Sequence, residues 1–136
     1  MIEYRSDQKI SVEQFIQILI DSTLGERRPL QDLKRLSTML EKADILITAW
    51  DGDKLVGISR AISDFAYCTY VSDLAVHQDY QRTGIGKKLL DETRIKSGNR
   101  GTFLLLAAPK AHEYYPKIGF ELSTRCYFLP EEKKLI

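Results

Sequence analysis

Across its 136 residues the chain has only two cysteines and two histidines, almost no net charge and no long apolar run. Each shortage excludes something. Cys68 and Cys126 stand far apart, fitting neither a disulfide framework nor a Cys-x-x-Cys redox or zinc pattern, so both are expected to be buried structural thiols. His77 and His112 lie outside any cluster with metal-ligand spacing, and no metal is expected. With Lys+Arg at 20 and Asp+Glu at 19, the formal charge of +1 carries no general footprint for nucleic acid or an anionic membrane. No stretch is long and apolar enough to span a bilayer, and the opening Met-Ile-Glu-Tyr-Arg-Ser-Asp has no signal-like apolar core. The default expectation is a cytoplasmic protein whose residues 1–136 form a single domain.

What is present is organised around Gln81-Arg82-Thr83-Gly84-Ile85-Gly86, which opens a run of helix formers, Lys87 to about Lys96. Two glycines permit positive φ and close approach of a ligand, and the unpaired N–H groups of a helix start point at an anion. Gln81, Arg82 and Lys87 add donors or positive charge. The stretch therefore reads as a phosphate cradle. It is not a Walker A loop: Gly86 is followed by Lys87-Lys88, and no glycine stands five residues before it. A dinucleotide fingerprint would place a third glycine where Leu89 stands.

The rest of the chain supplies the setting. Ile2-Glu3-Tyr4-Arg5 alternates as a half-buried strand does. Ser11, with Gln14 three residues on, caps a helix ending near Gly25, and Leu30, Leu33, Leu36, Met39 and Leu40 mark a second. Ile45 to Trp50 and Lys54 to Ile62 flank Asp51-Gly52-Asp53 as a hairpin. Tyr67 to Val76 is a further strand leading toward the cradle. Thr102 to Ala108 is nearly all apolar, predicting a strand covered on both faces, and a short helix follows from Lys110 to Ile118. Phe120 to Leu129 predicts a last strand. The order is β-α-α-β-β-β-α-β-α-β.

These residues resemble the GCN5-related N-acetyltransferase (GNAT) family, whose acetyl-CoA loop reads Gln/Arg-x-x-Gly-x-Gly/Ala. Gln81 to Gly86 fits at each fixed position; Asp73 to Tyr80 resembles the family's fourth strand and the turn after it, and Tyr114-Tyr115-Pro116-Lys117-Ile118-Gly119-Phe120 resembles the end of its fourth helix. The resemblance implies an α/β (α+β) fold, a mixed and mostly antiparallel sheet flanked by about four helices. It also implies direct acetyl transfer from acetyl-CoA to a primary amine of a small molecule, an amino-acid derivative or a protein. The diphosphate would lie on Arg82, Thr83, Gly84, Ile85, Gly86 and Lys87, with Gln81 beside them, and the pantetheine arm along backbone groups of Leu74, Ala75 and Val76. Tyr115 resembles the family tyrosine near the CoA sulfur and is the candidate acid; packing is its competing role.

Asp73 is a candidate base, against simple bonding to neighbouring backbone, with Asp64, Glu26 and His112 behind it. Arg27-Arg28 would either border the acceptor pocket or form a solvated turn. One departure stands out: Ala107-Ala108-Pro109 occupies the place where the family often has an asparagine. A CoA-binding sensor without transfer, and transfer of another acyl group, are the alternatives; a homodimer is left open by the resemblance.

Overall fold

The computed structural model describes residues 1–136 and divides into two compact units, Met1–Leu106 and Ala107–Ile136. In the first unit, five strands form one sheet in sequence order: β1 (Ile2–Arg5), β2 (Ile45–Asp51), β3 (Lys54–Ser63), β4 (Cys68–Val76) and β5 (Thr102–Leu105). The first three junctions are antiparallel and the last, β4 with β5, is parallel. The hairpin joining β2 to β3 turns at Gly52, whose φ of 60° is the left-handed conformation that an Asp-Gly turn supplies.

Three helices belong to this unit, and strand alternation decides which face each covers. Helix α1 (Val12–Asp21) and helix α2 (Leu33–Glu41) bring Phe15, Ile18, Leu19 and Leu36 onto Trp50, Ile58 and Ala75. Gly57 and Ser59, one step either side of Ile58, face the other way and meet helix α3 (Ile85–Lys96). A Cβ on Gly57 would stand 3.0 Å from Leu89 Cδ1 and 3.3 Å from Ile85 Cγ2, so glycine is what lets α3 sit close to β3. Thr93 then fastens the helix by donating to Ser59 Oγ at 2.7 Å. No helix is long and apolar enough to cross a membrane.

Several expectations change. β5 ends at Leu105 rather than Ala108, and it is not covered on both faces: it closes the sheet order, and Thr102 and Leu104 are exposed. In the second unit the expected helix from Lys110 to Ile118 shortens to a 3-10 turn, Pro109–Ala111, and helix α4 (Tyr114–Lys117). No strand forms over Phe120 to Leu129; Leu122, Tyr127 and Phe128 are well exposed, with no ladder for their backbone. Both cysteines are exposed, because Cys68 opens β4 at its rim and Cys126 lies in that irregular segment.

Candidate active site

The Gln81–Gly86 loop joins β4 to α3, and its backbone leaves the first amides of the helix without a side-chain cap. Arg82 and Gly84 both take positive φ, 64° and 88°. The first intrahelical bond runs from Lys88 N–H to the Gly84 carbonyl at 3.1 Å, so the amides of Ile85, Gly86 and Lys87 precede the helix's own acceptors. Gly84, the N-cap, offers no side chain to receive them. Those N–H groups and the positive end of the macrodipole are what a phosphate needs.

Around this start the side chains brace the loop. Gln81 Nε2 donates to the Val76 carbonyl at 2.9 Å, Thr83 Oγ1 donates to the Tyr80 carbonyl at 2.5 Å, and Tyr80 Oη donates to Asp51 Oδ2 at 2.6 Å. Gln81 and Thr83 thus shape the cradle from within the chain. Lys87 is exposed beside it and pairs with Asp91 at 3.4 Å.

β4 presents an open edge next to the cradle. Its parallel ladder with β5 stops at the Val71–Leu105 pair, so Ser72 to Val76 lie past the last pairing on that side. On the other side, the bond from His77 N–H to the Val56 carbonyl fixes the alternation: Ala75 faces Ile58 as a hydrogen-bonded pair, while Leu74 and Val76 turn their backbone groups away from β3. Of Leu74, Ala75 and Val76, the first and third therefore have backbone on the open side. Val76's carbonyl is the one that Gln81 occupies.

Where the two ladders diverge, the β3–β4 register slips between Arg60 and Ala61, leaving Ser72 as the extra residue of a bulge. Asp73 follows it, fully buried. Its Oδ1 accepts from Arg28 Nε at 2.6 Å and its Oδ2 from Arg60 Nε at 2.5 Å. Arg28 Nη2 also donates to the Ser72 carbonyl at 2.8 Å, and Arg60 Nη2 to Ser72 Oγ at 2.9 Å. The neighbours Arg27 and Arg28 separate here: Arg27 is exposed, and Arg28 reaches 45 residues along the chain to Asp73 on β4. Arg60 was missed; an arginine inside an otherwise buried strand run is the signal that could have found it.

The other titratable candidates have occupations of their own. Asp64 Oδ1 accepts the N–H groups of Ala66, Tyr67 and Cys68, which hold its carboxyl down to about 2. Glu26 and His112 are exposed. In the second unit Tyr115 packs edge-to-face against Tyr114 and Phe120, with ring centroids 5.3 and 5.5 Å away, and burial pushes its phenol up to about 12. No group of three or more His, Cys, Asp or Glu side chains could hold a metal ion.

Comparison with known proteins agrees with this architecture. The model of the acetyltransferase (GNAT) domain matches residues 8–127, and the chain belongs to that family. The uncharacterized N-acetyltransferase ycf52 of Pyropia yezoensis is 31% identical over 108 residues, covering 75% of this chain and 60% of its own length. The chain thus spans about 60% of the length of that curated relative. Among solved structures, the GNAT family protein SP0256 of Streptococcus pneumoniae TIGR4 superposes with a TM-score of 0.79 at 24% identity, covering 97% of this chain and 100% of that one. SA2161 of methicillin-resistant Staphylococcus aureus gives 0.80 at 21%, with 98% and 100% covered. At these identities the likeness is one of fold.

Proposed function

We propose that the protein is an acetyl-CoA-dependent N-acetyltransferase in which both units serve one catalytic domain, a reading supported by a family match that runs across both. The observation that carries it is the uncapped start of α3, Gly84 to Lys87, set beside the open backbone edge of β4. The diphosphate of acetyl-CoA suits the amides of that helix start. The pantetheine amides suit the backbone of Leu74 and the N–H of Val76, as an added strand would.

In the transfer, a neutral amine attacks the thioester carbonyl carbon, the C–S bond breaks, and the sulfur leaves with its electron pair while the nitrogen gives up a proton. Tyr115 is proposed to donate a hydrogen bond to the departing sulfur. A phenol held near 12 is a much weaker acid than a thiol of ordinary value about 8.5, so stabilising the thiolate suits it better than handing over its proton. Asp73 is proposed as an anchor rather than a base, because each carboxylate oxygen already holds a guanidinium and no surface is offered to an acceptor. With no base assigned, the amine is expected to lose its proton to water.

Isothermal titration tests the donor: CoA and acetyl-CoA should bind the folded protein, and absence of binding would sink the reading. Tyr115→Phe should lower kcat by up to roughly tenfold, the worth of one lost hydrogen bond, with acetyl-CoA affinity unchanged. An unchanged kcat where chemistry limits the rate would remove Tyr115 from the reaction. Its folded value lies above the unfolded one near 10, so Tyr115 lends stability below pH 10 that disappears as pH rises through about 12. A denaturation series across that range, compared with Tyr115→Phe, reads this out.

A further inference from the structure

β4 turns different backbone groups to its outer side before and after Ser72. The Tyr67 carbonyl accepts the Thr102 N–H at 2.7 Å, so by the two-residue period Thr69 and Val71 also face β5. In an unbroken strand Asp73 and Ala75 would come next. The bulge shifts that period by one residue, and Leu74 and Val76 face outward instead. What a pantetheine arm would meet on β4 therefore depends on where the bulge sits.

Two arginines staple it. Arg60 lies on the neighbouring strand; it holds Asp73 Oδ2 and Ser72 Oγ, and spends a further N–H on the Met39 carbonyl at 3.3 Å. Arg28 comes from the connection between α1 and α2 and takes the bulge by its backbone, with Nη2 on the Ser72 carbonyl at 2.8 Å and Nε on Asp73 Oδ1 at 2.6 Å. Two successive residues are thus fixed by one planar fork, a grip that a lysine ammonium on its flexible stem does not reproduce. The connection is shaped to deliver that fork. The Arg28 N–H donates to the Gly25 carbonyl at 3.1 Å, and a Cβ on Gly25 would stand 2.9 Å from Leu30 Cδ1 and 3.2 Å from the Leu19 carbonyl. Arg28 Nη1 donates back to the Arg27 carbonyl at 2.9 Å, which braces the guanidinium from its other end.

We infer that Arg28 is a positioning residue for the acyl donor: by holding the Ser72 carbonyl and the Asp73 carboxylate together, it keeps the bulge in register and Leu74 and Val76 turned toward the pantetheine arm. This rests on the acetyltransferase reading and deepens it, extending the donor site to a residue 44 positions before Ser72. Arg28 acts through β4 rather than on a reacting atom.

The test uses the full chain with Arg28→Lys, which retains a cation beside buried Asp73, and Arg28→Gln, which retains a donor without the charge. Wild-type CoA binding is measured first by titration, since its failure would remove the donor reading itself. Amide-resolved NMR then follows saturation with CoA at two places in one spectrum. In Arg28→Lys the Thr83 to Lys87 amides should still shift, the Leu74 and Val76 amides should no longer do so, and CoA affinity should fall roughly tenfold, the worth of one or two lost hydrogen bonds. Arg28→Gln should show the same split with a larger loss of affinity. Leu74 and Val76 shifts of wild-type size would overturn the inference. So would a loss at both places together, which marks a residue that only holds the fold. If neither variant folds, Arg28 belongs to the fold and the inference falls, while wild-type CoA binding keeps the donor reading intact.

Discussion

Helices α1 and α3 begin in opposite ways. At α1 the chain closes its own end: Ser11 Oγ accepts the Gln14 N–H at 3.1 Å, and Gln14 Oε1 accepts the Ser11 N–H at 2.9 Å. At α3 the N-cap is Gly84 in the left-handed conformation, with no side chain to accept anything. Both helices carry the same orphan amides by geometry. One set is satisfied by sequence and serves stability; the other is left for a ligand and, in our reading, serves binding. Side-chain bonds around α3's start confirm that its loop is braced without being capped, since Gln81 and Thr83 both donate to carbonyls before it.

Substitutions at the two starts should therefore part company. The largest effect is expected at Gly84→Val, which forces a branched side chain into positive φ and in front of the amides. CoA affinity should fall about 100-fold, against a stability cost of about 1–2 kcal/mol for the backbone strain. Calorimetric titration and urea denaturation measure the two separately. Next comes Ser11→Ala, which should cost about 1 kcal/mol of stability and leave CoA affinity untouched. A loss of CoA binding there would erase the distinction between the two helices. The smallest effect is at Lys87→Ala: an exposed cation, already paired with Asp91, should change CoA affinity only a few-fold, and less at high salt.

How far the sequence foretold this depends on the distance over which each feature is encoded. The left-handed turn at Gly84 that opens α3, the Ser11 cap and the Asp-Gly hairpin are written within a few residues, where backbone chemistry decides, and they fold as read. The Arg28–Asp73–Arg60 cluster joins positions 45 and 13 residues apart, so only the sheet register and the bulge at Ser72 bring it together. For Asp73 the sequence left a base and a residue bonded to its own backbone as alternatives, because neither of its arginine partners lies close to it along the chain. Phe120 to Leu129 has the composition of a strand, yet a strand needs a paired neighbour, and composition carries no pairing. The exposure of Cys126 follows from the same missing ladder.

Amide-resolved NMR titration addresses the central claim most directly, comparing CoA with pantetheine, which lacks the diphosphate. The account predicts that CoA shifts the amides of Thr83 to Lys87 strongly, that pantetheine leaves them in place while shifting Leu74 and Val76, and that neither moves the amides of Ser11 to Gln14. CoA binding that leaves the Gly84 to Lys87 amides unshifted would contradict it.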